Sequence, residues 1–376
     1  MTSLIGTGKL VRLILRRDRV RIAVWVGLLT LAVLGSEASL PQSYPTAADR
    51  QDRAELIDNP ATTFITGPGY GLDDYTYGAM TANEMSGLVA VAVALMSILM
   101  VVRQTRLEEE TGRAELVQAG VVGRLAPTAA TLLVVGGMNL AVGVLLTLGL
   151  PVALDELSAY GSLVFAAGVM SVGLVFMGVA LLAAQLTEHA RAASGIAGAA
   201  LGLVFVLRGV GDIGPGALSW LSPIGWTQET RAYVDERWWP LLLSVATTGG
   251  LVALATAVQA RRDLGAGVLS ARPGPPVASR AVAQPFGLAL RLGRAGLIAW
   301  SVSLLLAGVL YGTVADEADD FFSSTTAQKY LNRIGAGEPT DQFVAMILFF
   351  GATAGAANAI QTAWRLRSEE TAMRAE

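Results

Sequence analysis

The sequence predicts an all-α protein: a polytopic transmembrane helical bundle of about eight spans, a six-span repeat unit followed by an incomplete second repeat. Three observations predict it. Of 376 residues, 53% are hydrophobic and only 15% are charged, against about 25% charged in a typical soluble domain. Apolar runs of the ~20 residues that cross a bilayer recur along the chain. Arginines cluster in alternate connecting segments, the signature of a chain threading back and forth through a membrane.

Composition also excludes chemistry. The chain has no Cys, which removes disulfides, thiolate metal sites and Cys nucleophiles, and its one His, His189, cannot build a multi-histidine metal cluster. A net charge of −3 gives no electrostatic footprint for nucleic acid. No cofactor is expected in this chain. The bias towards Arg over Lys, with abundant Gly and Ala, suggests a high-GC bacterial genome.

The elements follow in order. Residues 9–21 (KLVRLILRRDRVR) are expected to form a cytoplasmic amphipathic helix, with Arg12, Arg16 and Arg19 on one face and Leu10, Leu13 and Ile14 opposite. Such a helix lies on the membrane surface, bound to lipid. The apolar stretch after it lacks a small-residue cleavage site and reads as a retained span, not a signal peptide. Spans are predicted at 22–40, 84–102, 127–150, 160–186, 194–211, 240–260, 295–313 and 343–363. Segments 1–21, 103–126 and 261–294 carry the arginines, and the alternate segments are acidic or mixed. Both termini are therefore expected in the cytoplasm of a multi-pass protein of the bacterial plasma membrane. The domain reading is 1–21, the six-span unit 22–260, a linker 261–286 and a partial second copy 287–376.

The second copy shows in two anchors. Leu13, Leu15, Arg16, Arg19, Trp25, Leu29, Leu31 and Ala32 recur as Leu288, Leu290, Arg291, Arg294, Trp300, Leu304, Leu306 and Ala307. Arg106, Glu108, Glu109, Arg113, Ala114 and Glu115 recur as Arg367, Glu369, Glu370, Arg374, Ala375 and Glu376. Apolar identities between spans carry little weight, whereas the polar cluster carries much. The second copy stops at Glu376, which reads as a truncated product or as a six-span unit with a partial repeat.

Several tempting signals are set aside. Gly-Thr-Gly-Lys at 6–9 lacks the first glycine and the final Ser or Thr of a phosphate-binding loop. No charged residue is read in mid-span, which argues against ion-coupled transport. Asn139, Gln185, Asn358 and Gln361 are read as interhelical hydrogen-bonding or interfacial groups, and Gly198–Gly202 and Gly351–Gly355 as close-packing pairs. Arg208 and Asp212 read as a local ion pair. Residues 221–240, rich in Pro, Gly and aromatics, read as short interfacial helices, with Trp220, Trp226, Trp238 and Trp239 as an aromatic belt.

The segment 103–126 is the informative one. Arg106–Glu110 and Glu109–Arg113 have i, i+4 spacing on a short helix, followed by an apolar patch of Leu116, Val117 and Ala119. Such a helix offers charges and a small apolar surface to a cytosolic protein.

The cluster R-x-E-E-E-x-G-R-A-E at 106–115, with Gly120 to Arg124 after it and L-S-P-I-G-W at 221–226, resembles permease subunits of type-2 bacterial ABC exporters. The resemblance covers essentially the whole chain and is greatest to the actinobacterial group of polyketide (tetronasin-like) antibiotic exporters. It implies a separate cytosolic ATPase, acting as a dimer and holding ATP and Mg. It also implies a hydrophobic small-molecule substrate and no bond chemistry in this chain. The ATPase-coupling residues would be Arg106, Glu108, Glu109, Glu110, Arg113, Glu115 and Arg124, with Glu369, Glu370 and Arg374 in the second copy. A secondary transporter and a non-transporting scaffold or remnant are the competing classes. A membrane-embedded carboxylate would favour the first, and the absence of a neighbouring ATPase gene the second.

Overall fold

The computed structural model describes residues 3–262 and 265–268, with scattered positions over 277–363. The chain forms two compact units, Met1–Ala271 and Arg272–Glu376. The described residues are mainly helical, with no strand among them. Glu369, Glu370 and Arg374, and much of the two last predicted spans, lie outside the described residues. The described positions of those two spans are helical.

In the first unit, helix α1 (Thr7–Arg17) stops at Asp18, whose backbone leaves helical geometry. Helix α2 (Arg19–Ser43) starts directly after it. The expected amphipathic helix over 9–21 is therefore shorter, because Arg19 and Arg21 belong to the first crossing. On α1, Ile14 is buried, while Arg12 and Arg16 are exposed.

The chain then builds α3 (Ala47–Ile57), α4 (Pro60–Thr66) and α5 (Tyr77–Met80). A π-helical turn, Thr81–Met85, joins α5 to α6 (Ser86–Gln104). The second crossing is therefore longer than the predicted 84–102 and starts with a π-bulge, a feature common near functional sites. Next come α7 (Arg106–Glu110), α8 (Arg113–Gln118), α9 (Ala126–Ala153), α10 (Ala159–Leu186) and α11 (Ala190–Ile213). The unit ends with α12 (Pro223–Gln228) and α13 (Pro240–Arg261).

Among the described residues, six helical segments are long and apolar enough to cross a membrane: Arg19–Ser43, Tyr77–Glu110, Ala126–Ala153, Ala159–Leu186, Ala190–Ile213 and Pro240–Arg261. Helix α10 is central: 72% of its most apolar stretch is buried, against 11% for α13. It packs against α6, α9, α11, α12 and α13. Small residues make this possible, as expected where helix packing and not hydrophobic exclusion drives association. A Cβ on Gly168 would come within 2.7 Å of the Thr227 side chain, and one on Gly173 would overlap Asn139. Asn139 donates to Ser97 at 3.0 Å, the interhelical role expected of it. Gly198 and Gly202 differ from expectation: a Cβ on either would meet nothing within 4 Å among the described residues.

Candidate functional site

Short helices α7 and α8 sit at the end of the bundle that carries α1, and that end holds the predicted coupling residues. The expected single helix over 106–118 is broken at Gly112, whose φ of 72° is in the left-handed region that favours glycine. This break changes the ion pairs. Instead of Arg106–Glu110 and Glu109–Arg113, Arg106 pairs with Glu109 at 2.5 Å and Arg113 approaches Glu108 at 3.6 Å. Arg106 is not a surface charge at all. It is 1% exposed and donates to the backbone carbonyls of Thr187 and Ala266.

The remaining carboxylates tie crossings together. Glu109 accepts from Arg262, at the far end of α13, at 2.6 Å. Glu110 accepts from the backbone N–H of Ala190 at 3.0 Å, where α11 begins. A carboxylate at a helix N-terminus is favoured by the free N–H groups and the helix dipole. Glu108 pairs with Arg17 of α1 at 3.0 Å. Arg124 donates to the carbonyls of Gln259 and Arg262. Two backbone bonds, Gly123 N–H to Ile5 at 2.8 Å and Leu125 N–H to Ser3 at 3.0 Å, clasp the segment to the N-terminus.

Asp18 anchors this network and was missed in the sequence. It is 2% exposed and is held by Arg17 and Arg21 at 3.1 Å, Arg103 at 3.0 Å and Gln104 at 2.6 Å. Burial pushes its carboxyl up, but the hydrogen bonds from Gln104, Arg17 and Arg103 outweigh this and hold it below its ordinary value. A lone Asp in an arginine run reads as surface charge, and only the break between α1 and α2 reveals it as a hub.

The surface left to solvent here comprises Glu110, Arg113, Glu115 and Arg124 among the predicted residues. Leu116 is 77% exposed and Val121 90%. A half-open cleft of about 80 Å³ lies between α1 and α7–α8.

At the opposite end, charge is buried. Arg208 has no solvent exposure; it pairs with Asp212 at 3.2 Å and donates to the carbonyls of Phe64 and Ile65. The expected local pair therefore also pins α4 to α11. Arg53 binds Glu84 through both carboxylate oxygens, and Tyr70 donates to Glu229 at 2.6 Å. Helix α12, inside L-S-P-I-G-W-T-Q, is buried throughout. Trp226 is therefore core, while Trp238 and Trp239 remain exposed. The reading of no charge in mid-span leaves out Glu37, toward the end of α2. It is 1% exposed inside α2, bonded to the Thr81 hydroxyl, with its second oxygen unpartnered. It lay near the outer edge of the predicted window and was overlooked there.

Six crossings with a charged collar of short helices at one end define a polytopic α-helical membrane protein. Over 375 residues the chain is 41% identical to the multidrug efflux system permease protein Rv1217c of Mycobacterium tuberculosis (strain ATCC 25618 / H37Rv). That alignment covers 99% of this chain and 67% of the relative. Residues 282–376 match the family described as the C-terminal domain of multidrug efflux system permease Rv1217c. The chain belongs to this family of efflux permeases.

Proposed function

We propose that this chain is the membrane part of an ATP-driven ABC exporter. It carries hydrophobic small molecules such as antibiotics out of a bacterial cell by alternating access. The narrower likeness to polyketide (tetronasin-like) exporters belongs to this proposal. ATP and Mg reside on a separate cytosolic ATPase dimer, and both termini face the cytoplasm. One observation carries the reading. Segment 106–124 is bonded to α1, α11 and α13 on one side and offers charged and apolar groups to solvent on the other. A push on α7–α8 is thus delivered to several crossings together.

The test combines topology with coupling. In intact cells an impermeant maleimide should label Ser43→Cys and not Glu115→Cys. Replacing Glu110 and Glu115 with Lys should abolish co-purification with a candidate cytosolic ATPase and stop drug efflux. Like charges then face each other across the contact, an effect on partner choice more than on folding. Unchanged association and export would refute the coupling role.

Glu37 favours a second reading, an ion-coupled carrier, because buried intramembrane carboxylates commonly bind coupling ions. Proteoliposomes separate the two: export driven by a proton gradient without ATPase would establish the carrier.

A further inference from the structure

The cleft between α1 and α7–α8 has a mixed lining. Leu10, Leu13 and Val117 contribute apolar surface, while Glu108, Gln104 and Thr128 are among its polar groups. The carboxylates in this lining are not equivalent. Glu109 has both oxygens occupied, Oε2 by Arg106 and Oε1 by Arg262. Glu108 uses Oε2 for Arg17, but its buried Oε1 has no hydrogen-bond partner. The Arg113 guanidinium stands 3.6 Å from Oε1, beyond hydrogen-bond reach, on a side chain 58% exposed. A carboxylate oxygen out of water and without a donor is costly, and an added N–H donor removes that cost.

We propose that this cleft binds an amphiphilic amine, whose ammonium donates to Glu108 Oε1 while its apolar body lies against Leu10, Leu13 and Val117. The geometry favours an ammonium over an anion, because Arg17 is already engaged by Asp18, Glu108 and Gln104. Among the described residues lining the cleft, Arg113 is the loosely held cation and competes with the ligand for Glu108. One side of the cleft is α1, whose exposed Leu13 and Leu15 suit an interfacial position. Such a ligand would therefore arrive from the membrane surface. Two sources share this chemistry: an amine to be exported, and the headgroup of phosphatidylethanolamine. The site deepens the efflux reading and rests on it for the role of this end of the bundle.

The test uses the full chain in phosphatidylcholine nanodiscs, without ATPase, and a dansyl-labelled alkylamine with its alcohol analogue. Saturable binding of the amine, at least tenfold tighter than that of the alcohol, is expected. Glu108→Gln should weaken amine binding about tenfold, and Val117→Trp should abolish it by filling the cleft. Arg113→Gln should tighten it several-fold, a sign that a purely structural role for Arg113 does not produce. Unchanged elution profile and melting temperature identify the folded variants. If Val117→Trp fails them, Ala114→Trp replaces it. Competition by phosphatidylethanolamine assigns the site to lipid, and its absence to a free amine. Equal binding of amine and alcohol, indifference to Glu108→Gln, or no saturable binding overturns the proposal. Because no ATPase is present, failure of the coupling reading leaves these results untouched.

Discussion

The network at the α1 end and the Arg208–Asp212 pair at the other end of the six-span unit handle charge differently. At the α1 end, Asp18, Glu108 and Glu109 each bind arginines from other segments, and the network borders water. At the other end, Arg208 and Asp212 pair within one helix, sealed beneath α4 and α12. Charges near water can exchange partners at small cost, because water takes up whichever group is released. Buried charges cannot, since losing a partner strands an ion in a medium that does not solvate it. One end can re-pair its charges at small cost, and the other holds its pair fixed.

The largest expected effect tests the sealed end. Arg208→Met leaves Asp212 buried without its cation, and removes donors from Phe64 and Ile65. Breaking a buried pair this way costs about 3–5 kcal/mol. A detergent-solubilised variant should melt many degrees lower or fail to accumulate. Melting close to wild type would show that water reaches this pair and would erase the contrast.

Packing sharpens the same contrast. A Cβ on Gly225 of α12 would collide with the Ser219 carbonyl oxygen, a backbone atom that cannot swing away. Gly225→Ala should therefore destabilise by about 1–3 kcal/mol, the usual penalty of overpacking. Gly198→Ala on α11 meets open space. It should stabilise by up to about 1 kcal/mol through helix propensity. Urea or thermal melts of the pair should move in opposite directions.

Acid probes the other end. Asp18 is held below its ordinary value, so its stabilising contribution is present above the unfolded carboxylate value of about 3.9. That contribution is lost as pH falls through its lowered folded value. Stability of wild type relative to Asp18→Asn should thus be constant from about pH 5 to 8 and converge only in stronger acid. Convergence already near neutral pH would show that the arginines do not hold it.

Much of this fold was legible in the sequence, because spans are set by composition over ~20 residues and need no tertiary knowledge. Arginine alternation was equally legible, and it placed 103–126 and 261–262 at one end, where the Glu109–Arg262 pair joins them. What escaped was register. The i, i+4 pairs presumed one continuous helix, and Gly112 divides it. Arg106 and Glu109 look as exposed as Glu115 in a polar string, yet only long-range contacts decide which turn inward. Glu37 was overlooked because its burial depends on Thr81, forty-four residues away, at a π-turn that no periodicity announces.

The smallest effect on stability carries the sharpest functional contrast. Leu116 and Val121 are among the most exposed large apolar residues of the chain, and they sit on the segment that ties the crossings together. Exposed substitutions away from special features change stability by no more than about 0.5 kcal/mol. Leu116→Ser with Val121→Ser should therefore melt like wild type, and removing apolar surface should even aid solubility. If this end docks an ATPase, those side chains lose their burial at the contact. Exposed leucines and valines gain roughly 1.5–3 kcal/mol each when fully buried. At full burial, association should then weaken by about two to four orders of magnitude, with export falling in parallel. A double variant that melts, docks and exports like wild type would show that the outward face of this collar is inert. The contrast between the two ends would then be one of stability alone.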